Sequence, residues 1–418
     1  MRVYFDYNAT TPLAPEVIDA VARASRDIFG NASSVHRFGQ QAKASLDEAR
    51  SAAAALIGAD PSEIVFTSGG TESDNFAIRG AAEALEPTGR RHLIASAIEH
   101  EAVLNTLKAL ARRGWRTTIL PVEPSGIVSA DRLREAITAE TALVSVMHAN
   151  NEIGTIQPIA ELAAVAHEHG ALMHTDAVQS AGKIGVDVRA LGVDLLSLSA
   201  HKFNGPKGAG ALWIKRGTRL VPTMTGGKHE RNRRAGTENV PGIAGLGVAT
   251  QLAVRKLDAE ARRIGALRDR LERGILDTVA GTSVNGAREA RVPNTTNISF
   301  DRVEAESLLI ALDLAGVAVS TGSACSSGTL EPSHVLKAMG LPAHRTQNSL
   351  RFSLGLFSTE DEVEFTIAVL PRLVEKLRAL SPESVGSRQS QSAVGSRQAP
   401  ESVGSRQANP ASRIPNPE

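Results

Sequence analysis

Two side chains that could share one reaction stand at the ends of apolar runs, about 26 residues apart in the chain. In LLSLSAHKFNGPKG, residues 195–208, a strand-like run ends in Ser199, His201 and Lys202 and passes into a Gly/Pro/Asn turn. In ALMHTDAVQS a similar run ends at Asp176, with Gln179 one turn further on. A lysine amine can form a Schiff base with an aldehyde, and a carboxylate bonded to a pyridine nitrogen keeps it protonated, which makes the ring an electron sink. Presented from neighbouring strand ends, this pair suits pyridoxal phosphate, with Ser199 and His201 as two phosphate ligands beside the amine. Taken singly, a solvated lysine and an aspartate capping a helix AVQSAGK would account for both.

Other residues point to the same edge. SGGTESDN, residues 68–75, follows the run EIVFT and opens a helical pattern. Its backbone N–H groups around Gly70, with the Thr71 hydroxyl, form an anion cradle at a helix N-terminus. His100 ends IASAIEH, where a flat ring could stack on a planar cofactor and move protons, or simply cap the next helix. Arg351 in SLRFSLG could clamp a carboxylate bidentately, or make an ordinary surface ion pair. Cys325 lies in the Gly/Ser-rich loop STGSACSSGTLEPSHV, where a thiol is unhindered and suited to a nucleophile that reaches and withdraws.

The elements that must position these residues alternate. EIVFT, HLIAS, TTILP, ALVSVM, ALMHT and LLSLS read as strands, separated by helical patterns of ten or so residues such as GTESDNFAIRGAAEAL and EAVLNTLKALARR. That alternation implies crossovers and a mainly parallel sheet covered on both faces, whose carboxyl edge is where open α/β sheets bind ligands. AGALWIK follows the lysine turn too closely for a crossover and is expected to run antiparallel. An Ala-rich helix ends at Gly58. A polar, arginine-rich loop TGGKHERNRRAGTENVPG precedes a charged helix over roughly 251–280. A second α/β region follows, with strands NTTNISF, VAVSTG and SLRFSLG and helices near 304–315 and 360–379.

Composition bounds the function. There are 46 basic against 45 acidic residues in 418, so no bulk charge attracts nucleic acid. No apolar run approaches the ~20 residues of a membrane span, and MRVYFDYNATTP lacks the apolar core of a signal peptide. One cysteine excludes an internal disulfide and a multi-cysteine metal site. The expectation is a soluble, cytoplasmic α/β protein. After Pro382 the sequence VGSRQ recurs at 385, 394 and 403 in a tail poor in apolar residues, which is expected to be disordered.

Together, YNATTP, HRFGQ, TSGGTESDN, EH at 99–100, ANNEIGTIQP, HTDAVQ, SLSAHKFNGPKG, RRAGTEN, GSACSSGTLEPSHV and RFSLG, in that order over roughly 1–380, resemble the cysteine desulfurases of the class V aminotransferase family. The resemblance implies pyridoxal phosphate fold type I: a large cofactor domain (15–255) with a mostly parallel seven-stranded sheet, and a smaller α/β domain (1–14 and 256–380) carrying the cysteine loop, followed by the tail 381–418. It implies that Lys202 holds the cofactor, with Asp176 on the ring nitrogen, Gln179 near the ring hydroxyl and His100 stacked on the ring. Gly70, Thr71, Ser199 and His201 would bind phosphate, with Thr237 reaching across from the other subunit of a homodimer. Asn151 and Arg351 would hold the carboxylate of L-cysteine, and Asn8 and Asn31 lie in motifs near the site. Cys325 would take the sulfur as a persulfide, releasing L-alanine, and pass it to an iron–sulfur scaffold or another acceptor. A metal ion is not implied, although Cys325 could contact a nascent cluster. RRAGTEN and LEPSHV look more like the nitrogen-fixation branch than the housekeeping one. An aminotransferase or selenocysteine lyase of the same fold would share Lys202 and Asp176 without requiring Cys325. A non-catalytic sulfur carrier would need Cys325 alone.

Overall fold

The computed structural model describes residues 1–322 and 332–380, so Cys325 and the VGSRQ tail lie outside the described residues. The chain opens with β1 (Val3–Tyr4), then two helices, Pro15–Asp27 and Arg37–Leu56. Seven strands of the main sheet follow: β2 (Ile64–Thr67), β3 (His92–Ser96), β4 (Arg116–Leu120), β5 (Thr141–Ser145), β6 (Leu172–Asp176), β7 (Leu195–Ser199) and β8 (Gly210–Ile214). Their order is β2-β8-β7-β6-β5-β3-β4, and only β8 runs antiparallel to its neighbours. The helical crossovers force the other strands to be parallel and to bury both faces. That is why β3, β5 and β7 are buried at every residue.

Residues 282–285, 295–300, 317–318 and 349–353 form β9 (Thr282–Asn285), β10 (Thr295–Phe300), β11 (Val317–Ala318) and β12 (Ser349–Ser353). An antiparallel sheet has the order β12-β10-β9, and β1 pairs in parallel with β11. The N-terminal residues are thereby built into the C-terminal layer. Among the described residues, no helix is long and apolar enough to cross a membrane.

The charged helix begins earlier than its sequence pattern predicts, spanning Val240–Thr278. Its first turns, VPGIAGLGVAT, look like a loop because glycine disfavours helix. The glycines are instead the packing surface: a Cβ on Gly247 would sit 2.8 Å from the Ala49 Cα, and one on Gly245 would sit 2.6 Å from Val21 Cγ2. Close packing against the two N-terminal helices outweighs the propensity cost. The same helix joins two cores, giving Leu246 and Ala249 to the large one and Leu267, Leu271 and Ile275 to the small one. β9 carries no strong strand pattern, and the strand expected at VAVSTG is only two residues long.

The arginine-rich loop is pinned from below. Arg50 and Glu230 form a buried bidentate pair at 2.7 and 2.8 Å, and Glu230 Oε2 also accepts the Phe66 N–H at 2.9 Å. Glu230, Arg231 and Asn232 all take positive φ (45°, 59°, 65°), a conformation that non-glycine residues adopt only when held. Removing one partner strands the other charge in the core. Glu230→Ala should therefore cost about 3–5 kcal/mol in urea denaturation, and the Arg50→Met/Glu230→Leu pair markedly less.

Candidate active site

Five of the strands, β2, β3, β5, β6 and β7, bring groups to the same edge. After β2 the chain turns through Gly69 (φ +151°) into the helix Gly70–Leu85, bringing Gly70 and Thr71 forward. Beyond β3, His100 caps the helix Glu101–Ala111, its Nδ1 accepting the Ala102 N–H at 3.1 Å. Asn151 follows β5, Asp176 ends β6 with Gln179 just beyond, and Ser199 ends β7 ahead of His201 and Lys202. Arg351 reaches the edge from the middle of β12, in the other layer. All ten residues line one cleft of about 460 Å³, together with Asp6, Asn8, Asp74, Met147, Ser320 and Gly322.

Two expected positions lie elsewhere. Thr237 is exposed on the loop that the Arg234–Glu72 ion pair ties to the helix Gly70–Leu85, and it does not line this cleft. Asn31 shapes an exposed turn, its Oδ1 accepting the Ser33 N–H. Cys325 is outside the described residues, but Gly322, three residues before it, lines the cleft. No helix follows Asp176. Its Oδ1 accepts the Val178 N–H at 2.8 Å in a turn.

The cleft keeps its central amine weakly basic. Lys202 Nζ donates to the Asn8 and Ala9 carbonyls at 2.5 and 2.9 Å. Burial and then the Arg351 cation push the amine down to about 8, against the pull of Asp176 and Asp6. The ring of His201, whose Nδ1 meets Thr10 Oγ1 at 3.1 Å, falls to about 4 through burial and the neighbouring lysines, so it is neutral. Burial raises the Asp176 carboxyl, opposed by the Val178 N–H and by His100 and Lys202. Asp74, buried beside it, is pushed well above the carboxylate range by burial and then by Asp176, so Asp74 holds the proton of the pair.

Arg351 is almost wholly buried, which is not the surface ion pair that the sequence left open. Its Nη2 meets Asp6 Oδ1 at 2.6 Å and its Nη1 donates to the Asn151 carbonyl at 3.0 Å, while Nε has no partner. A buried guanidinium with an uncommitted N–H is an anion site only part filled.

Sequence reasoning passed over Asp6, Asp74 and Lys183. Asp74 was legible in principle, four residues past Gly70 and so on the same helix face. Asp6 becomes meaningful only once Arg351, 345 residues away, is seen beside it.

The chain has relatives along nearly its whole length. The family profile described as Aminotransferase class-V matches residues 3–365. A protein of Dictyoglomus turgidum named cysteine desulfurase IscS is 51% identical over 381 residues, covering 91% of this chain and 96% of its own. One of Gluconacetobacter diazotrophicus named cysteine desulfurase is 48% identical over 392 residues, covering 93% and 98%. A solved structure titled NifS-like protein superposes with a TM-score of 0.85 at 37% identity, over 90% of this chain and 100% of that one. Another, SspA in complex with cysteine, gives 0.76 at 38% identity, over 86% and 100%. The chain therefore belongs to the class-V aminotransferase family, and its seven-stranded, mostly parallel sheet is that of pyridoxal phosphate fold type I.

In cofactor-free protein, an amine-specific reagent should label Lys202 with a midpoint near 8 instead of the ordinary 10.5. Below the midpoint the amine is protonated and inert, and above it free. Arg351→Met removes a repelling cation, so the midpoint should move up, as read by mass spectrometry of the labelled peptide.

Proposed function

We propose that this chain is a pyridoxal-phosphate-dependent cysteine desulfurase, taking sulfur from L-cysteine and releasing L-alanine. The observation that carries the reading is the convergence of Lys202, Asp176 and Arg351 on one cleft, in a chain about half identical to proteins named cysteine desulfurase.

The donor set fits the cofactor. Gly69 caps the helix Gly70–Leu85 with no side chain, so the first N–H groups of that helix remain for an anion. With the Thr71 and Ser199 hydroxyls and a neutral His201, they would hold the phosphate. Lys202 would carry the aldehyde carbon, Asp176 would bond the ring nitrogen, Gln179 would face the ring hydroxyl and His100 would stack on the ring. When bound, pyridoxal phosphate supplies an electron sink conjugated to the substrate α-carbon.

The chain's own residues do the remaining work. Arg351, with its uncommitted Nε, and Asn151 would hold the substrate carboxylate and fix the amino acid's orientation. His100 has Nδ1 engaged by the Ala102 N–H, so Nε2 is the nitrogen that would move a proton. The Cys325 thiolate would attack the substrate sulfur. An S–S bond forms as the substrate's Cβ–S bond breaks, leaving a persulfide on Cys325, and the carbon skeleton departs as L-alanine once Cβ is protonated.

The sulfur would pass to an iron–sulfur scaffold or another acceptor thiol. RRAGTEN and LEPSHV support nitrogenase maturation as the destination. A homodimer would place Thr237 of one protomer at its partner's cleft, in keeping with its exposed loop. The proposed location is cytoplasmic.

Incubation with L-cysteine should release alanine and sulfide in equal amounts under a reductant. Lys202→Ala should lose the cofactor colour and both products. Cys325→Ala should keep the colour and lose cysteine desulfuration to background. Full turnover by Cys325→Ala would remove the nucleophile from the reading.

A further inference from the structure

Lys183 belongs to none of the roles above, yet it sits at the centre of the site's hydrogen bonding. It stands four residues past Gln179, and its amine donates to Gln179 Oε1 at 2.6 Å and to Asn8 Oδ1 at 3.1 Å. The other end of Gln179 is also engaged: Nε2 donates at 2.9 Å to the Asn8 carbonyl, the carbonyl that receives Lys202 Nζ. A backbone carbonyl can only accept, so the amide's nitrogen end is fixed on that side and its oxygen on the Lys183 side. With Oε1 held on the Lys183 side and one N–H on Asn8, the side-chain donor that Gln179 has left is its second N–H. Gln179 lines the cleft, so it meets a ligand there as a donor.

The surroundings argue that Lys183 is kept for geometry and not for charge. Among the described residues it makes no ion pair. Burial pushes its amine well below the usual lysine range, and Lys202 and Arg351 add like-charge repulsion. His201 nearby is neutral. Lys183 lines a second cavity of about 90 Å³, whose other charged lining residues are Glu16, Lys202, Lys256 and Glu260. A lysine held so expensively among neutral amides is acting through its N–H groups.

We propose that Lys183 is a positioning residue that holds Gln179 as an N–H donor toward the cleft, and so favours the deprotonated form of the cofactor's ring hydroxyl. This rests on the proposed function. Without Lys183, Gln179 Oε1 loses its donor, while Asn8 Oδ1 keeps Asn294. A buried amide oxygen without a partner leaves the side chain held only through the Asn8 carbonyl, free to swing toward another donor and withdraw its N–H from the cleft.

The test is a pH titration of the bound cofactor's visible absorbance, in full-length protein reconstituted with pyridoxal phosphate. Lys183→Met should raise the midpoint by about one pH unit, tenfold in proton affinity. Lys183→Gln, which keeps an N–H donor, should recover part of the shift. Gln179→Ala should raise the midpoint similarly, and adding Lys183→Met to it should change nothing further. An unmoved midpoint in Lys183→Met overturns the proposal, as does a full additional shift in the Gln179→Ala background. Were Lys183→Met not to fold, an unmoved midpoint in Gln179→Ala overturns it alone. A wild-type protein that takes up no pyridoxal phosphate overturns the proposed function and this inference together, whereas unshifted variants of a coloured wild type overturn only the inference.

Discussion

The carbonyl oxygen of Asn8 is the point on which the two layers of this molecule meet. It receives Lys202 Nζ and Gln179 Nε2 from the edge of the main sheet, yet Asn8 itself follows β1, which is paired with β11 in the other layer. The side chain extends the same bond pattern. Its Oδ1 accepts from Lys183 and Asn294, and its Nδ2 donates to Thr295 Oγ1 and the Asn151 carbonyl. Each of these groups is buried or nearly so, and leaving any unpaired would cost about 1–3 kcal/mol. The cleft is thus held open by polar satisfaction between layers. An apolar seam there could have packed shut.

The electrostatic arrangement follows from that enclosure. A site that must hold a reactive amine at neutral pH cannot also crowd it with free carboxylates, which would keep it protonated. The acids nearby are accordingly disfavoured as free charges or paired: burial raises both Asp74 and Asp176, and Asp6 is bonded to Arg351. The histidines under the sheet are neutral as well. His148 is pushed down to about 4 and His174 to about 3 by burial, and each is bonded to serine hydroxyls, His174 with Asp74 Oδ1 3.7 Å from its Nε2. The cleft thereby presents a weakly basic lysine beside one guanidinium with a free N–H.

The sheet edge was legible because it depends on local patterns. Apolar runs ending in Asp176, Ser199 or His100 before a turn show their direction in the sequence, and a parallel sheet collects such ends on one side. Groups from the other layer were legible only as motifs. Nothing near Asn8 indicates that its carbonyl will meet Lys202, 194 residues on, and nothing near Lys183 marks its amine as buried. The glycines at 242, 245 and 247 misled for a related reason. Their helix propensity is a local property, but Gly245 and Gly247 are decided by tertiary contact with Val21 and Ala49, and Gly242 by the Asn239 cap. Thr237 shows a further limit, since its expected place lies in a neighbouring subunit.

Arg351 shares its backbone bonds with the chain that precedes Cys325. Its backbone N–H donates to the Ser320 carbonyl at 2.6 Å, and the Ser320 N–H returns a bond at 3.2 Å. Two residues later Gly322, at φ +90°, passes so close to Glu152 that a Cβ there would lie 2.9 Å from Oε2. Glu152 is itself buried, its carboxyl raised by that burial, and it accepts the Ser333 hydroxyl at 2.5 Å from the far side of the stretch 323–331. Both described flanks of that stretch therefore pass close to one buried carboxyl group, and one flank shares its backbone bonds with the arginine. The backbone bridge that seats Arg351 in β12 is thus also the one that holds Ser320, five residues before Cys325 in the sequence.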